Sequence, residues 1–209
     1  MYAIKLKLPQ TLRPVTVDDR DILPDEDIIS QMDKVKNNKI VEGYTLFTNI
    51  DRKHVYKLYA EINIDNDRLW SLFKALMMTM PEDMKLIIGH KDDDNDELYH
   101  SEYYDKYTLY NKLEPYSKEL TQDGFLKFGV GYHSKTYSEE VFISCAKYIQ
   151  YWGMDRERFQ DIMYKYSLYE VKDMEFIDSY PMVTTVLHFF DNEVLETHEI
   201  LAKLKKENK

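Results

Sequence analysis

Two apolar runs flank one strongly patterned helix, and this arrangement limits the fold more than any other feature of the sequence. "HVYKLYAEINI" (54–64) is rich in aromatic and β-branched residues and reads as a strand. In "DRLWSLFKALMMTM" the residues Leu69, Trp70, Leu72, Phe73, Leu76 and Met77 recur at helical spacing, Asp65 or Asn66 can cap the start, and Pro81 follows the end. "MKLIIGH" (84–90) is then a short apolar run suited to a buried strand. Together they predict a β-α-β unit.

Elsewhere the pattern is mixed. "YAIKLKL" (2–8) alternates like a short strand, and "LPDEDIISQMDKVKNN" predicts a helix with Pro24 in its first turn. Residues 102–120 read as helical with a break near Pro115. "FLKFGVGYHS" (125–134) and "EEVFIS" (139–144) form a hairpin by the same logic. "CAKYIQYW" and "DRERFQDIMYKYSL" read as helices, the second capped by Asp155, then "MVTTVLHFF" (182–190) as a strand and the C-terminal stretch as a helix with Lys in its last turn. No fixed-period repeat or Gly/Pro/Ser linker divides the 209 residues. The expectation is a single α+β domain over 1–209, a mostly antiparallel sheet with helices packed on it. It leaves open two similar β-α-β halves, 1–95 and 96–209, sharing one core.

The segment after the β-α-β unit, "HKDDDNDELYHSEYYD" (90–105), holds seven carboxylates, two histidines and three tyrosines in sixteen positions. As a calcium loop starting at Asp92 it places Glu97 where the sharp turn needs Gly and Tyr103 where a bidentate Glu is required. His90 and His100 lie ten residues apart through an expected loop, which is no zinc-ligand spacing. No metal or cofactor is expected. Two readings remain: a solvated connector, or a surface that binds a basic partner through Asp92, Asp93, Asp94, Asp96, Glu97, Tyr99, Glu102, Tyr103 and Tyr104. Tyrosine is the unusual component of the chain, eighteen in all, and buried tyrosines at protein interfaces dominate binding energy. Tyr103, Tyr107 and Tyr110 share one helical face on this reading, as do Tyr148, Tyr151 and Trp152.

A net charge of -10 disfavours nucleic acid and anionic lipid and favours a basic partner. Six glycines form no phosphate-cradling motif, and no nucleophile-elbow pattern occurs. Cys145 is the only cysteine, so no intramolecular disulfide forms. At an expected strand-to-helix junction, with His133 on the preceding strand, it is the best nucleophile candidate, although nothing around it matches a cysteine hydrolase. No catalytic residue is assigned. The N-terminus lacks a signal-peptide core and no stretch is apolar enough to span a membrane, so a cytoplasmic protein is expected.

Residues 128–187, from "FGVGYHSKTYSEEVFIS" through "KYIQYW" and a helix ending near "YSL" to "FIDSYP" and an apolar strand, resemble bacterial immunity proteins of polymorphic toxin and contact-dependent growth inhibition systems. The resemblance implies a cytoplasmic, non-catalytic protein that binds one cognate toxin domain and occludes or distorts its active site. A nuclease toxin presents a basic cleft, where a carboxylate-rich surface stands in for phosphate and speeds association. Such families share no fixed interface residues, so none is carried over. The alternatives are another protein-binding regulatory or inhibitor module, or a cysteine-dependent enzyme.

Overall fold

The structure, a computed structural model, describes residues 4–16, 19, 38–49, 55–91 and 98–207. Its centre is a seven-stranded sheet in which every neighbouring pair is antiparallel. The strands in chain order are β2 (Gly43–Thr48), β3 (Leu58–Asn63), β4 (Asp83–His90), β5 (Tyr99–Asp105), β6 (Leu126–His133), β7 (Ser138–Ile143) and β8 (Ile149–Gly153). In space they run β2-β3-β8-β7-β6-β4-β5. A separate ribbon pairs β1 (Leu12–Pro14) with β9 (Met182–Thr184). The helices are α1 (Asn66–Met78), α2 (Lys106–Leu113), α3 (Ser117–Gln122), α4 (Arg156–Lys165) and α5 (Thr197–Glu207). This is the expected α+β class.

The β3-α1-β4 unit exists, but its two strands are not neighbours. They run in the same direction with β8, β7 and β6 between them. The two halves of the chain therefore interleave in one sheet. α1 lies over the strands it spans, burying Leu69, Leu72, Phe73, Leu76 and Met77, with the Phe73 ring 5.0 Å from Phe128 on β6. Its apolar stripe is continuous with alternate residues of the strands and with residues of the other four helices, such as Leu109, Leu120, Phe159 and Ile200. The five helices of the described residues thus cover one face.

Helix ends are satisfied from a distance. Beyond α1, the carbonyl of Thr79 accepts from Arg158 Nη1 at 2.8 Å, while Lys106 Nζ donates to Met80 O at 3.2 Å and to Met78 O at 3.3 Å. Cations at this end also suit the helix dipole. Asp155 caps α4 as expected, accepting from Arg158 N at 3.0 Å. Asp65 precedes α1, but its Oδ1 accepts from Lys7 N instead of capping.

Several sequence expectations are corrected. Residues 4–8 form no strand; Leu6 is buried with Ile40, Ala146 and Ile177, and Ile4 and Leu8 pack at the rim of that cluster. The alternation is real, but no ladder partner is present among the described residues. "CAKYIQYW" is not a helix. Lys147 adopts φ 61, its N–H closes a turn on Ser144 O, and β8 follows. Tyr151 and Trp152 consequently point to opposite faces. Residues 102–105 belong to β5, and α2 starts only at Lys106, where Asp105 Oδ1 accepts from Thr108 N at 3.0 Å. Tyr107 is exposed and Tyr110 buried, so the expected tyrosine face does not form. The strand expected over 182–190 stops at Thr184 and gives way to a 3-10 turn at Leu187–Phe189. The layout at 128–187 that carries the immunity-protein resemblance therefore differs in one helix and in its last strand. The helix expected from Pro24 lies outside the described residues, apart from Asn38 at its end.

Candidate functional site

The acidic stretch leads into β5, which among the described residues is an edge strand pairing only with β4. Asp92, Asp93, Asp94, Asp96 and Glu97 lie outside the described residues; Tyr99, Glu102, Tyr103 and Tyr104 lie on β5. The ladder matches Lys85 with Tyr103 but Ile87 with His100, so Ser101 and Glu102 together oppose Leu86. This bulge is stitched by Ser101 Oγ, which accepts from Leu86 N at 2.8 Å and donates to Glu102 O at 2.6 Å. A bulge disfavours the flat pairing by which edge strands aggregate.

The three tyrosines separate on this strand. Tyr99 and Tyr104 pack against the main core; Tyr99 OH donates to Lys205 O at 3.3 Å, and Lys112 Nζ sits 3.8 Å from the Tyr104 ring centroid. They hold α5 and α2 to the sheet edge. Tyr103 is 44% exposed, its ring is 5.8 Å from Tyr132, and its hydroxyl donates to His133 O at 3.1 Å. Glu102 is exposed beside it. The surface part of the expected patch on β5 is thus the Glu102–Tyr103 step.

The chemical candidates are kept apart. Position 90 of β4 alternates to the helix-covered face, where His90 stacks on Phe125 at 5.8 Å, whereas His100 opposes Ile87 on the other face. Among the described residues no group of three His, Cys, Asp or Glu side chains is placed to hold a metal ion. His90, His188 and His198 do line a cavity of about 560 Å³ with Phe125 and Phe189. Cys145 sits in the β7–β8 turn with no helix start beside it, its Sγ is 3.9 Å from Phe125 O, and burial pushes its thiol pKa up. A raised pKa lowers thiolate content and reactivity. His133 lies at the other end of the β6–β7 hairpin, paired with Ser138, and is 3.0 Å from Glu140. Glu139, on the opposite side of β7, is fully buried and ion-paired with Arg158.

The sheet face away from the helices holds a second surface. Register brings Phe47, Tyr59 and Trp152 into one row across β2, β3 and β8. The Phe47 and Tyr59 rings stack at 5.9 Å, and Tyr59 and Trp152 lie 5.0 Å apart. Next to this row, Thr45, Glu61 and Gln150 form another, with Tyr59 OH donating to Glu61 Oε1 at 2.8 Å and accepting from Gln150 Nε2 at 3.0 Å. Sequence reading missed this surface. Phe47, Tyr59 and Trp152 belong to three separate strands, and only pairing places them side by side. The chain matches no protein-family model, no curated protein and no solved structure.

Proposed function

We propose that the chain is a non-catalytic immunity protein that acts in the cytoplasm by binding and neutralising a basic toxin domain, a nuclease being one such domain. The observation that carries this reading is the exposed Glu102–Tyr103 step on an edge strand that continues the acidic stretch from residue 90. An aromatic anchor beside carboxylates suits a basic surface, and the net charge of -10 adds long-range attraction. The raised thiol pKa of Cys145 and its separation from His133 argue against the cysteine-enzyme alternative. Among the described residues no helix is long and apolar enough to cross a membrane.

The test is co-expression and co-purification with the product of the gene immediately upstream. Protection from that product and a stable complex support the reading; neither protection nor a complex overturns it. Within such a complex, Ser replacements of Asp92, Asp93, Asp94, Asp96 and Glu97 slow association at low salt by about tenfold and change dissociation little. Unchanged association kinetics would remove the acidic stretch from the interface.

A further inference from the structure

Among the described residues, the β2 edge is covered over only part of its length. Tyr44 N–H donates to Tyr169 O at 3.1 Å, and Tyr44 O accepts from Val171 N at 2.9 Å, making a parallel bridge with Glu170. Backbone groups alternate along a strand, so Leu46 and Thr48 turn theirs the same way as Tyr44, away from β3. The covering segment has already turned aside at Lys172 and Asp173. Between it and the edge lies a cavity of about 560 Å³.

The lining of this cavity has a definite chemistry. Phe47 and Phe176 line it with aromatic side chains, while Glu61, Glu170 and Asp173 bring carboxylates against Lys172 in the lining, with Asp173 also 3.8 Å from Lys39 Nζ. Glu61 has accepted one hydrogen bond, from Tyr59, and a carboxylate has room for more. Thr45 stands opposite Glu61 in the ladder; its Oγ1 is out of solvent and has no hydrogen-bond partner among the described residues. A buried hydroxyl without a partner is a polar group that a ligand can satisfy.

We infer that this cavity receives an arginine or lysine side chain carried on an extended peptide segment that adds to the β2 edge beyond Tyr44. Strand addition uses the outward N–H and C=O of Leu46 and Thr48, and alternate side chains then face the sheet surface, where the cavity lies. The aromatic lining suits the flat apolar surface of a guanidinium, and the Glu61 carboxylate accepts its charge-assisted hydrogen bonds. Three carboxylates against Lys172 and Lys39 favour a cationic occupant over an anionic one. The site depends on nothing at the β5 edge, so it holds whether or not the partner is a toxin.

Calorimetric titration of the full chain with the blocked pentapeptide acetyl-Thr-Val-Arg-Val-Thr-amide tests this. We expect saturable binding, a loss of about tenfold or more when the central Arg is replaced by Ala, and a similar loss in the Glu61→Gln protein. The Lys172→Glu change, at an exposed position that folding tolerates, tightens binding by roughly threefold. N-acetyl-arginine amide binds more weakly than the peptide because it lacks the strand. No binding by the Arg peptide overturns the inference, as does equal binding of the Arg and Ala peptides or an affinity that neither Glu61→Gln nor Lys172→Glu moves. Failure of the toxin test with success here would leave a peptide-binding protein of another kind.

Discussion

Val141 and Phe142 are adjacent in β7, yet they belong to different environments. Val141 is fully buried under the helices in the main core, while Phe142 lies on the other face with its ring over Gly129, where a Cβ would come within 2.7 Å of it. The same alternation divides the other strands of the sheet, except at the β5 bulge. On the helix-covered side, buried groups are held by several elements at once: Arg158 reaches Glu139 on β7 and Thr79 beyond α1, and Lys147 Nζ donates to Leu120 O in α3 at 2.9 Å and to Leu126 O in β6 at 2.7 Å. On the open side, aromatic rings and carboxylates form rows whose members remain reachable, with Phe47 53% exposed. Burial and exposure fall to alternate residues of these strands, so mutations on the two sides should separate into two kinds.

The largest effect is expected on the covered side. Arg158→Met leaves the Glu139 carboxylate buried without its cation and should lower unfolding free energy by roughly 3–5 kcal/mol in urea titrations. Adding Glu139→Leu should recover most of that loss, because the pair is then replaced by apolar groups. A single variant as stable as the wild type would break the division between the faces.

Lys147 gives the next effect, read as a pH dependence. Burial lowers its pKa from 10.5 to about 8 in the folded chain. Below pH 8 both folded and unfolded chains hold the proton and no slope results. Between 8 and 10.5 the unfolded chain holds a proton that the folded chain has released, so stability rises with pH; this gain is lost as the pH falls through about 8. The gain amounts to roughly 3 kcal/mol across that window. Burial raises the pKa of Cys145, and of Tyr59, Tyr148 and Tyr151, which opposes the gain from about pH 9 upward. The difference between wild type and Lys147→Met therefore isolates the lysine, and a flat difference curve from pH 7.5 to 9.5 would contradict its burial as a cation.

The smallest stability change belongs to the open side. Phe47→Ala should cost about 1 kcal/mol or less in urea, since the ring is half in solvent and contributes chiefly one stacking contact. The same variant should weaken the arginine peptide several-fold. A large stability loss with unchanged peptide binding would reverse the assignment of the two faces.

Legibility in the sequence followed the range of the forces involved. α1 and α4 were readable because apolar spacing, an Asp at the start of each and, for α1, the following Pro81 are local signals. The β6–β7 hairpin was readable because its partner is next in the chain. β8 was not, because Tyr148, Tyr151 and Trp152 fit a helical spacing as well as an alternation, and the choice between them is made by β3 and β7 on either side. β5 failed in the same way through Tyr103, Tyr107 and Tyr110. Of the expected binding patch, Glu102 and Tyr103 face outward, whereas the half-buried state of Tyr99 and Tyr104 follows from α5 and α2 packing beside them. The cavity at the β2 edge joins residues 45–47, 61 and 170–176, and no local pattern links segments so far apart.

The interleaved strand order also bears on how the protein is made. When residue 120 leaves the ribosome, β2–β3 and β4–β5 are complete only as two separate hairpins, each of which is marginal in water. Residues 126–153 must arrive and insert as β6, β7 and β8 before the two hairpins belong to one sheet. Such long-range closure makes folding slow and nearly all-or-none with respect to chain length. A nascent chain therefore has neither a finished β2 cavity nor a β5 edge joined to the full sheet until residues 126–176 have emerged.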